Sequence, residues 1–188
     1  MTSATLQPTL WRTCRVLASA RRLNLLAALA RKQPQSVSEL AKGCALTLPV
    51  ASQSLRALEA RGLLHVNRFR RRVEYRFPTR AEAGSLAELL AALRSALCRE
   101  PVSTSPIARL ATGFTHPARI QIHRALQSGP RTRLHLQAAI GVSTPAVLRH
   151  LRKLRSRGYI SFDGGERVYT RCEHPDRIGR ALSQLAAA

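Results

Sequence analysis

The segment Ser36–Leu64, SVSELAKGCALTLPVASQSLRALEARGLL, decides the fold because its pattern recurs in Thr132–Ile160, TRLHLQAAIGVSTPAVLRHLRKLRSRGYI. Extended outward, residues 18–77 align with residues 115–172 at an offset of 95 to 97. The matched pairs are Arg22 and Arg119, Leu29 and Leu126, Leu40 and Leu136, Pro49 and Pro145, Leu55 and Leu151, Arg56 and Arg152, Leu58 and Leu154, Gly62 and Gly158, and Val73 and Val168. Such self-similarity indicates that one structural unit occurs twice.

Each copy predicts three helices. An amphipathic helix ends at a breaker, Gln33–Pro34 or Gly129–Pro130, and a shorter helix follows with Leu40 or Leu136 pointing inward. Thr47 and Ser143 are good N-caps for the third helix, because a hydroxyl can accept from orphan backbone N–H groups. The first two helices are predicted at 20–31 and 36–43 in copy one, and at 117–128 and 132–140 in copy two. Gly62 and Gly158 end the third helices as left-handed caps.

The third helix has two faces. Its buried stripe has the spacing i, i+4, i+7 and comprises Ala51, Leu55 and Leu58 in copy one, and Val147, Leu151 and Leu154 in copy two. The opposite face is free to bind a partner. It carries Pro49, Ser52, Gln53 and Arg56 in the first copy, and Thr144, Pro145, Arg149, Arg152 and Lys153 in the second.

Alternating residues after each glycine cap predict a β-hairpin. In copy one, Leu64–Arg68 and Val73–Phe77 flank the basic tip Phe69–Arg72. In copy two, Tyr159–Phe162 and Arg167–Cys172 flank Asp163–Glu166, whose two glycines accept the positive φ of a tight turn. The predicted fold class is mainly α with small β-hairpin wings (α+β), in two tandem winged helix-turn-helix domains.

A helical connector separates the copies. Its start, Thr79–Glu82, is a possible capping box, and Leu86, Leu89, Leu90, Leu93 and Leu97 follow at helical spacing. We expect a buried or dimerising helix over 79–99, about 31 Å long, and a short helix around Ile107–Phe114. The outer segments Pro8–Ala18 and Pro175–Ala187 are also predicted to be helical. The expected domains are 1–78, 79–113 (the connector) and 114–188.

Charge indicates the partner. The 188 residues include 31 Lys and Arg against 10 Asp and Glu, giving +21. Residues 1–80 carry +12, residues 81–112 carry no net charge and residues 113–188 carry +9. Two basic units flanking a neutral connector favour nucleic acid as the partner. With no signal peptide and no apolar run of about 20 residues, we expect a cytoplasmic, nucleoid-associated protein that does not enter a membrane.

Several motifs resemble those of the arsenical-repressor (ArsR-like) family of bacterial regulators, or of the neighbouring MarR-like group. In the first copy they are Ala20–Leu29, Glu39–Thr47, Leu55–Leu64 and Arg70–Phe77; in the second they are His116–Leu126, His135–Ser143, Leu151–Ile160 and Arg167–Arg171. The resemblance implies a transcriptional regulator that binds DNA. Relatives are usually homodimers of single domains, whereas this chain carries two. We therefore expect one chain to act as a pseudo-dimer about an approximate two-fold axis, and further dimerisation stays open.

Metal sensing, cofactors and catalysis are not indicated. Metal-sensing relatives often carry a cysteine pair on the first helix of the helix-turn-helix, but only Cys44 lies near that position here. Cys14, Cys44, Cys98 and Cys172 have no C-x-x-C spacing, and we expect buried structural thiols. The histidines are expected to be surface or helix residues rather than ligands. We also expect no cofactor and no enzymatic activity, since no nucleophile constellation or Gly-rich phosphate loop occurs.

The chain is accordingly expected to be a sequence-specific regulator that binds double-stranded DNA. The candidate contact residues are Leu48, Pro49, Ser52, Gln53, Arg56, Arg68, Arg70, Arg71, Arg72, Thr144, Pro145, Arg149, Arg152 and Lys153. Arg149 and Arg152 suit guanine and Gln53 suits adenine, while the wing arginines suit phosphate or a narrow minor groove. The acidic tip of the second wing would repel phosphate. Two alternatives stay open, a winged-helix scaffold for protein interactions and an RNA-binding protein.

Overall fold

A computed structural model describes residues 9–69, 72–99 and 103–188. The first winged unit comprises residues 20–76 and the second comprises residues 117–171. In the first half of the chain the elements are α1 (Leu10–Leu17), α2 (Ala20–Arg31), β1 (Gln35–Ser36), α3 (Val37–Gly43), α4 (Leu48–Glu59), β2 (His65–Phe69), β3 (Arg72–Arg76), α5 (Arg80–Ala83) and α6 (Ala87–Leu97). In the second half they are α7 (Ser105–Ala111), α8 (Pro117–Ala125), β4 (Arg131–Thr132), α9 (Arg133–Ile140), α10 (Thr144–Arg155), β5 (Ile160–Asp163), β6 (Val168–Arg171) and α11 (Arg177–Ala187). The predicted mainly helical fold with two tandem winged helix-turn-helix units is confirmed.

Capping residues fix where the helices begin. Ser36 and Glu39 form a capping box at α3: the Glu39 amide donates to Ser36 Oγ at 3.3 Å, and the Ser36 amide donates to Glu39 Oε2 at 2.7 Å. Thr47 and Ser143 are the N-caps of α4 and α10, as predicted. Their hydroxyls form no capping hydrogen bond, so that part of the prediction is wrong. Each helix has a proline in its first turn, which removes one of the orphan N–H groups.

Each unit closes with a three-stranded antiparallel sheet, in the order β1-β3-β2 or β4-β6-β5. In the first wing the ladder extends to Phe69 opposite Arg72. In the second wing, the prediction that the glycines take positive φ is wrong. The residue with positive φ is Arg167 (56°), and Asp163 Oδ1 shapes the turn by accepting from the amides of Gly165 and Glu166.

The connector is not one helix. The capping box Thr79–Glu82 forms, but α5 ends after one turn, and a 3₁₀ turn over residues 84–86 precedes α6. Gly84 takes φ of 51° and ψ of −126°, a conformation that only glycine adopts easily and that ends the α-helical path. The predicted span of about 31 Å, at 1.5 Å per residue, is therefore wrong. The connector leucines are buried within the chain.

Helices at equivalent places in the two halves pack against each other. The helix that precedes the first unit, α1, contacts α7 and the 3₁₀ turn at 112–114, which precede the second unit. The helix that follows the first wing, α6, contacts α11, which follows the second wing. The core of buried apolar residues is continuous across both units. No helix in the described part of the chain is long and apolar enough to cross a membrane.

The cysteines are less uniform than predicted. Cys14 is fully buried, and burial raises the pKa of its thiol. Cys44 and Cys172 are half-buried, whereas Cys98 lies exposed at the end of α6, where its thiol donates to the carbonyl of Ala30 at 3.2 Å. The expectation of a buried thiol is therefore wrong for Cys98. The described residues contain no cluster of three His, Cys, Asp or Glu side chains able to hold a metal ion.

Candidate nucleic-acid interface

Helix α4 exposes the residues that the sequence assigned to its outer face. Ala51, Leu55 and Leu58 are buried against the core. On the other side, Leu48, Pro49, Gln53 and Arg56 are exposed and Ser52 is half-buried. The exposed group is nearly uncharged, because Arg56 is its only cation. Such a surface can hydrogen-bond and contact methyl groups.

Helix α10 presents a more basic surface. Pro145, Arg149 and Arg152 are exposed, and Lys153 is half-buried. The Thr144 hydroxyl already has a hydrogen-bond partner within the protein, because it donates to Gln137 Oε1 of α9 at 3.0 Å. That hydrogen bond joins the two helices of the helix-turn-helix and holds the start of α10 in place.

Sequence reasoning missed the burial of His150 on α10. This residue is only 3% exposed, and its ring lies 4.6 Å from that of His116, the N-cap of α8. Burial, and then the charges of nearby histidine and arginine side chains, lower its pKa to about 4. A signal for this burial was present, because residue 150 lies three positions after Val147 and four before Leu154 and so widens the apolar stripe.

An ion pair joins the first wing to α4. Arg68, on β2, reaches Glu59 at the end of α4, with 3.2 Å between its guanidinium nitrogen and the carboxylate oxygen. Arg72 is exposed at the start of β3. Arg70 and Arg71, the other two predicted contacts, lie outside the described residues. The wing also carries Phe69, whose side chain is 71% exposed and which the sequence analysis did not single out.

The second wing differs in charge. Asp163 and Glu166 at its tip are both exposed. The Asp163 carboxylate accepts hydrogen bonds from backbone amides of the turn, whereas Glu166 contributes only its backbone amide to the turn and its side chain is exposed. Strand β5 packs against α10, so this wing also adjoins the third helix of its own unit.

The candidate residues therefore form two sets, one on α4 and the neighbouring wing and the other on α10 alone. The first set comprises Leu48, Pro49, Ser52, Gln53, Arg56, Arg68 and Arg72, and the second comprises Thr144, Pro145, Arg149, Arg152 and Lys153. The first set is nearly uncharged on the helix, where Arg56 is the only cation, and basic on the wing. The second set is basic on the helix, and the tip of the neighbouring wing, with Asp163 and Glu166, is acidic.

Comparison with known families matches both copies. Residues 17–67 match the model described as "Helix-turn-helix domain". Residues 116–161 match the model described as "Bacterial regulatory protein, arsR family". The two matched stretches contain α2–α4 and α8–α10, the helices of the internal repeat. No curated protein matches the chain.

Proposed function

From the premise that this chain is an ArsR-like regulator with two winged helix-turn-helix units in tandem, we propose that it binds a specific double-stranded DNA site. The observation that carries the proposal is that each third helix buries one face and leaves the other exposed beside a wing. A net charge of +21 supports a polyanionic partner. A regulator of this kind would act in the cytoplasm, where chromosomal DNA lies.

In this proposal α4 and α10 each enter a major groove. Arg149 and Arg152 donate to guanine, and Gln53 pairs with adenine. Leu48, Pro49 and Pro145 contact thymine methyl groups, while Ser52 and Thr144 hydrogen-bond at the groove edge. Cations outside the base-reading positions neutralise phosphates; these are Arg56, Arg68, Arg70, Arg71, Arg72 and Lys153. Arg68 would exchange its surface ion pair with Glu59 for a phosphate, an exchange of small cost because exposed ion pairs contribute about 1 kcal/mol or less.

The chain is proposed to bind as a pseudo-dimer. The contacts of α1 with α7 and of α6 with α11 support this, because the same helices of both halves meet, as they do in an isologous dimer interface. We propose residues 1–78 and 114–188 as the two DNA-binding domains, with 79–113 as the connector. The exposed faces of α4 and α10 differ, with Gln53 on one and Arg149 on the other, so the preferred DNA site should have two unlike halves.

The first experiment measures the affinity of the full chain for a duplex selected from a random pool. We expect log K to fall with log salt at a slope of about −5 or steeper. Arg149→Ala should cost about 1–3 kcal/mol on the selected duplex and relax preference at one base pair. Arg94→Ala removes the same charge from the exposed side of α6 and should have little effect. A flat salt response contradicts DNA binding, and equal losses for the two variants contradict base reading by Arg149.

The second experiment tests the pseudo-dimer. Footprinting combined with the mass of the complex should show one chain protecting two successive major grooves of unequal sequence, about 34 Å apart. Gln53→Arg should change the preferred base in one half only. Two chains on a symmetric palindrome would overturn the pseudo-dimer while leaving DNA binding intact.

A further inference from the structure

Helix α1 carries two exposed arginines whose side chains lie against a tryptophan. The guanidinium carbons of Arg12 and Arg15 lie 5.1 and 5.2 Å from the centroid of the Trp11 ring. Trp11 is itself half-buried and packs on the core. Because an indole ring attracts a guanidinium that lies over its face, both cations are held in position before any partner binds.

No acidic side chain neutralises these cations. The first 38 residues contain six Lys and Arg and no Asp or Glu. None of the ion pairs in the described part of the chain involves Arg12 or Arg15. Arg22 of α2 adds a third cation beside them, because its guanidinium donates to the backbone carbonyl of Arg15 at 3.5 Å. Such a cluster creates a positive potential that favours an anionic partner.

The cluster lies beside α10, the third helix of the second unit. Helix α1 packs on the 3₁₀ turn that precedes α8, and this turn packs on α10. His116 follows the turn, and its ring lies 4.6 Å from that of His150 on α10. Partial desolvation, followed by the charges of three arginines that include Arg149 and Arg15, lowers the pKa of His116. Arg15 of α1 and Arg149 of α10 therefore both lie near the same histidine.

The second unit has no cationic wing tip of its own. Asp163 and Glu166 at its tip repel phosphate, whereas the first wing carries Arg68 and Arg72. A helix that lies in the major groove has a phosphate backbone on either side of it. The cations of α1, next to the exposed face of α10, are placed to meet one of these backbones.

We propose that α1, which belongs to the first half of the chain, binds the DNA phosphates flanking the half-site that α10 reads, through Arg12, Arg15 and Arg22. This inference rests on the proposed DNA-binding function and adds a phosphate-binding surface to it. The first unit binds phosphate with its own wing. The second unit instead depends on a helix from the other half of the chain, so the two units share one DNA interface.

The test uses the full chain and the selected duplex, in which an uncharged methylphosphonate replaces one phosphate at a time. The base pair at which Arg149→Ala relaxes preference identifies the half-site read by α10. Methylphosphonates flanking that half-site should weaken binding of the wild type. They should have little further effect on a double variant with Arg12→Ala and Arg15→Ala, because the cations that meet those phosphates are gone.

The double variant should also bind selected and random duplexes alike about tenfold more weakly, with a salt slope shallower by about two. Arg12→Lys with Arg15→Lys keeps both charges and should retain the salt slope and the methylphosphonate pattern. The matched control is Arg94→Ala with Arg99→Ala, which removes two charges from exposed positions of the connector. It should leave the methylphosphonate pattern of the wild type unchanged. Urea denaturation verifies that each variant is folded.

Three results overturn the inference. The first is an equal change of salt slope in the two double alanine variants. The second is a set of methylphosphonates that weaken the wild type and the variant with Arg12→Ala and Arg15→Ala to the same extent. The third is a loss of phosphate contacts confined to the half-site read by α4. Absence of any complex between the wild type and DNA instead contradicts the proposed function itself.

Discussion

The cores of the two winged units are built from different side chains at equivalent positions. In the first unit, Leu26 on α2 and Leu63 after α4 are fully buried. At the matching positions the second unit has His123 and Tyr159, also fully buried. Phe114 joins them, with ring centroids 4.4 Å from Tyr159 and 5.2 Å from His123. One backbone plan therefore accepts an aliphatic core in one copy and an aromatic, hydrogen-bonding core in the other.

This difference shows which features the fold requires. Both units keep the apolar stripe of the third helix and the glycine after it, with φ of 67° at Gly62 and 78° at Gly158. Volume and polarity inside the core vary. Buried polar groups need partners. Helix α11, which follows the second unit, provides one, because Ser183 Oγ lies 2.9 Å from His123 Nε2, whereas His123 Nδ1 has no hydrogen-bond partner among the described residues. We therefore expect the stability of the second core to depend more strongly than that of the first on pH and on substitutions that add side-chain volume.

The largest expected effect on stability comes from adding side-chain volume to the aromatic core. A Cβ added at Gly113 would overlap the ring of Tyr159, which is fully buried. Gly113→Ala should therefore lower the free energy of unfolding by about 3 kcal/mol. Urea denaturation of the purified variants measures this.

The matched control is Gly43→Ala in the first unit, where an added Cβ meets nothing within 4 Å. Because Gly43 lies at the end of a helix, alanine should change stability by about 1 kcal/mol or less, in the stabilising direction. Similar denaturation midpoints for Gly113→Ala and wild type would show that the second core is looser than its packing indicates.

The next effect is a loss of stability in acid that depends on His123. Burial, followed by the charge of Arg171, lowers its pKa from 6.5 to about 4. As the pH falls, the unfolded chain therefore takes up the proton before the folded chain does, which lowers the free energy of unfolding. This loss is absent above pH 6.5 and grows as the pH falls toward 4. The loss between pH 7.5 and 4.5 should be about 2.5 kcal/mol.

His123→Leu installs the side chain of the equivalent position in the first unit and should remove this part of the acid sensitivity. Denaturation of wild type and variant across pH 4.5–7.5 gives the difference. His135→Leu, at an exposed histidine of α9, should follow the wild-type curve. If the His123→Leu and wild-type curves run parallel, His123 does not set the pH dependence.

The helices and wings follow from local signals in the sequence, since apolar spacing, prolines and capping residues act over a few residues. The break at Gly84 does not follow from such signals, because a glycine between the capping box and the first of the spaced leucines shows its positive φ only in the folded chain. The same holds for the second wing, where Arg167 rather than a glycine takes the left-handed conformation. The packing of α1 on α7 depends on tertiary contacts between segments far apart in the sequence.

For the candidate interface, the sequence indicated which helix faces would be exposed, because the exposed face lies opposite the buried apolar stripe. It did not indicate how exposed groups would engage one another. The ion pair between Arg68 and Glu59 joins a strand to a helix, and the hydrogen bond of Thr144 to Gln137 joins two helices. Both depend on distances that sequence spacing does not determine.

The smallest effect expected comes from making the two wing tips alike in charge. Glu166 aligns with Arg71 of the first copy, so Glu166→Arg gives the second wing the equivalent cation and changes the net charge by two. Because Glu166 is exposed and only its backbone amide takes part in the turn, the fold should be unaffected. The variant should bind every duplex about threefold more tightly and steepen the salt slope by about one.

Glu173→Arg makes the same charge change at an exposed position after β6 and serves as the control. Salt titrations on selected and random duplexes separate the outcomes: a gain shared by both variants reflects net charge alone, whereas a gain confined to Glu166→Arg means that the tip of the second wing lies close to phosphate and that its acidity weakens the contact in the natural chain.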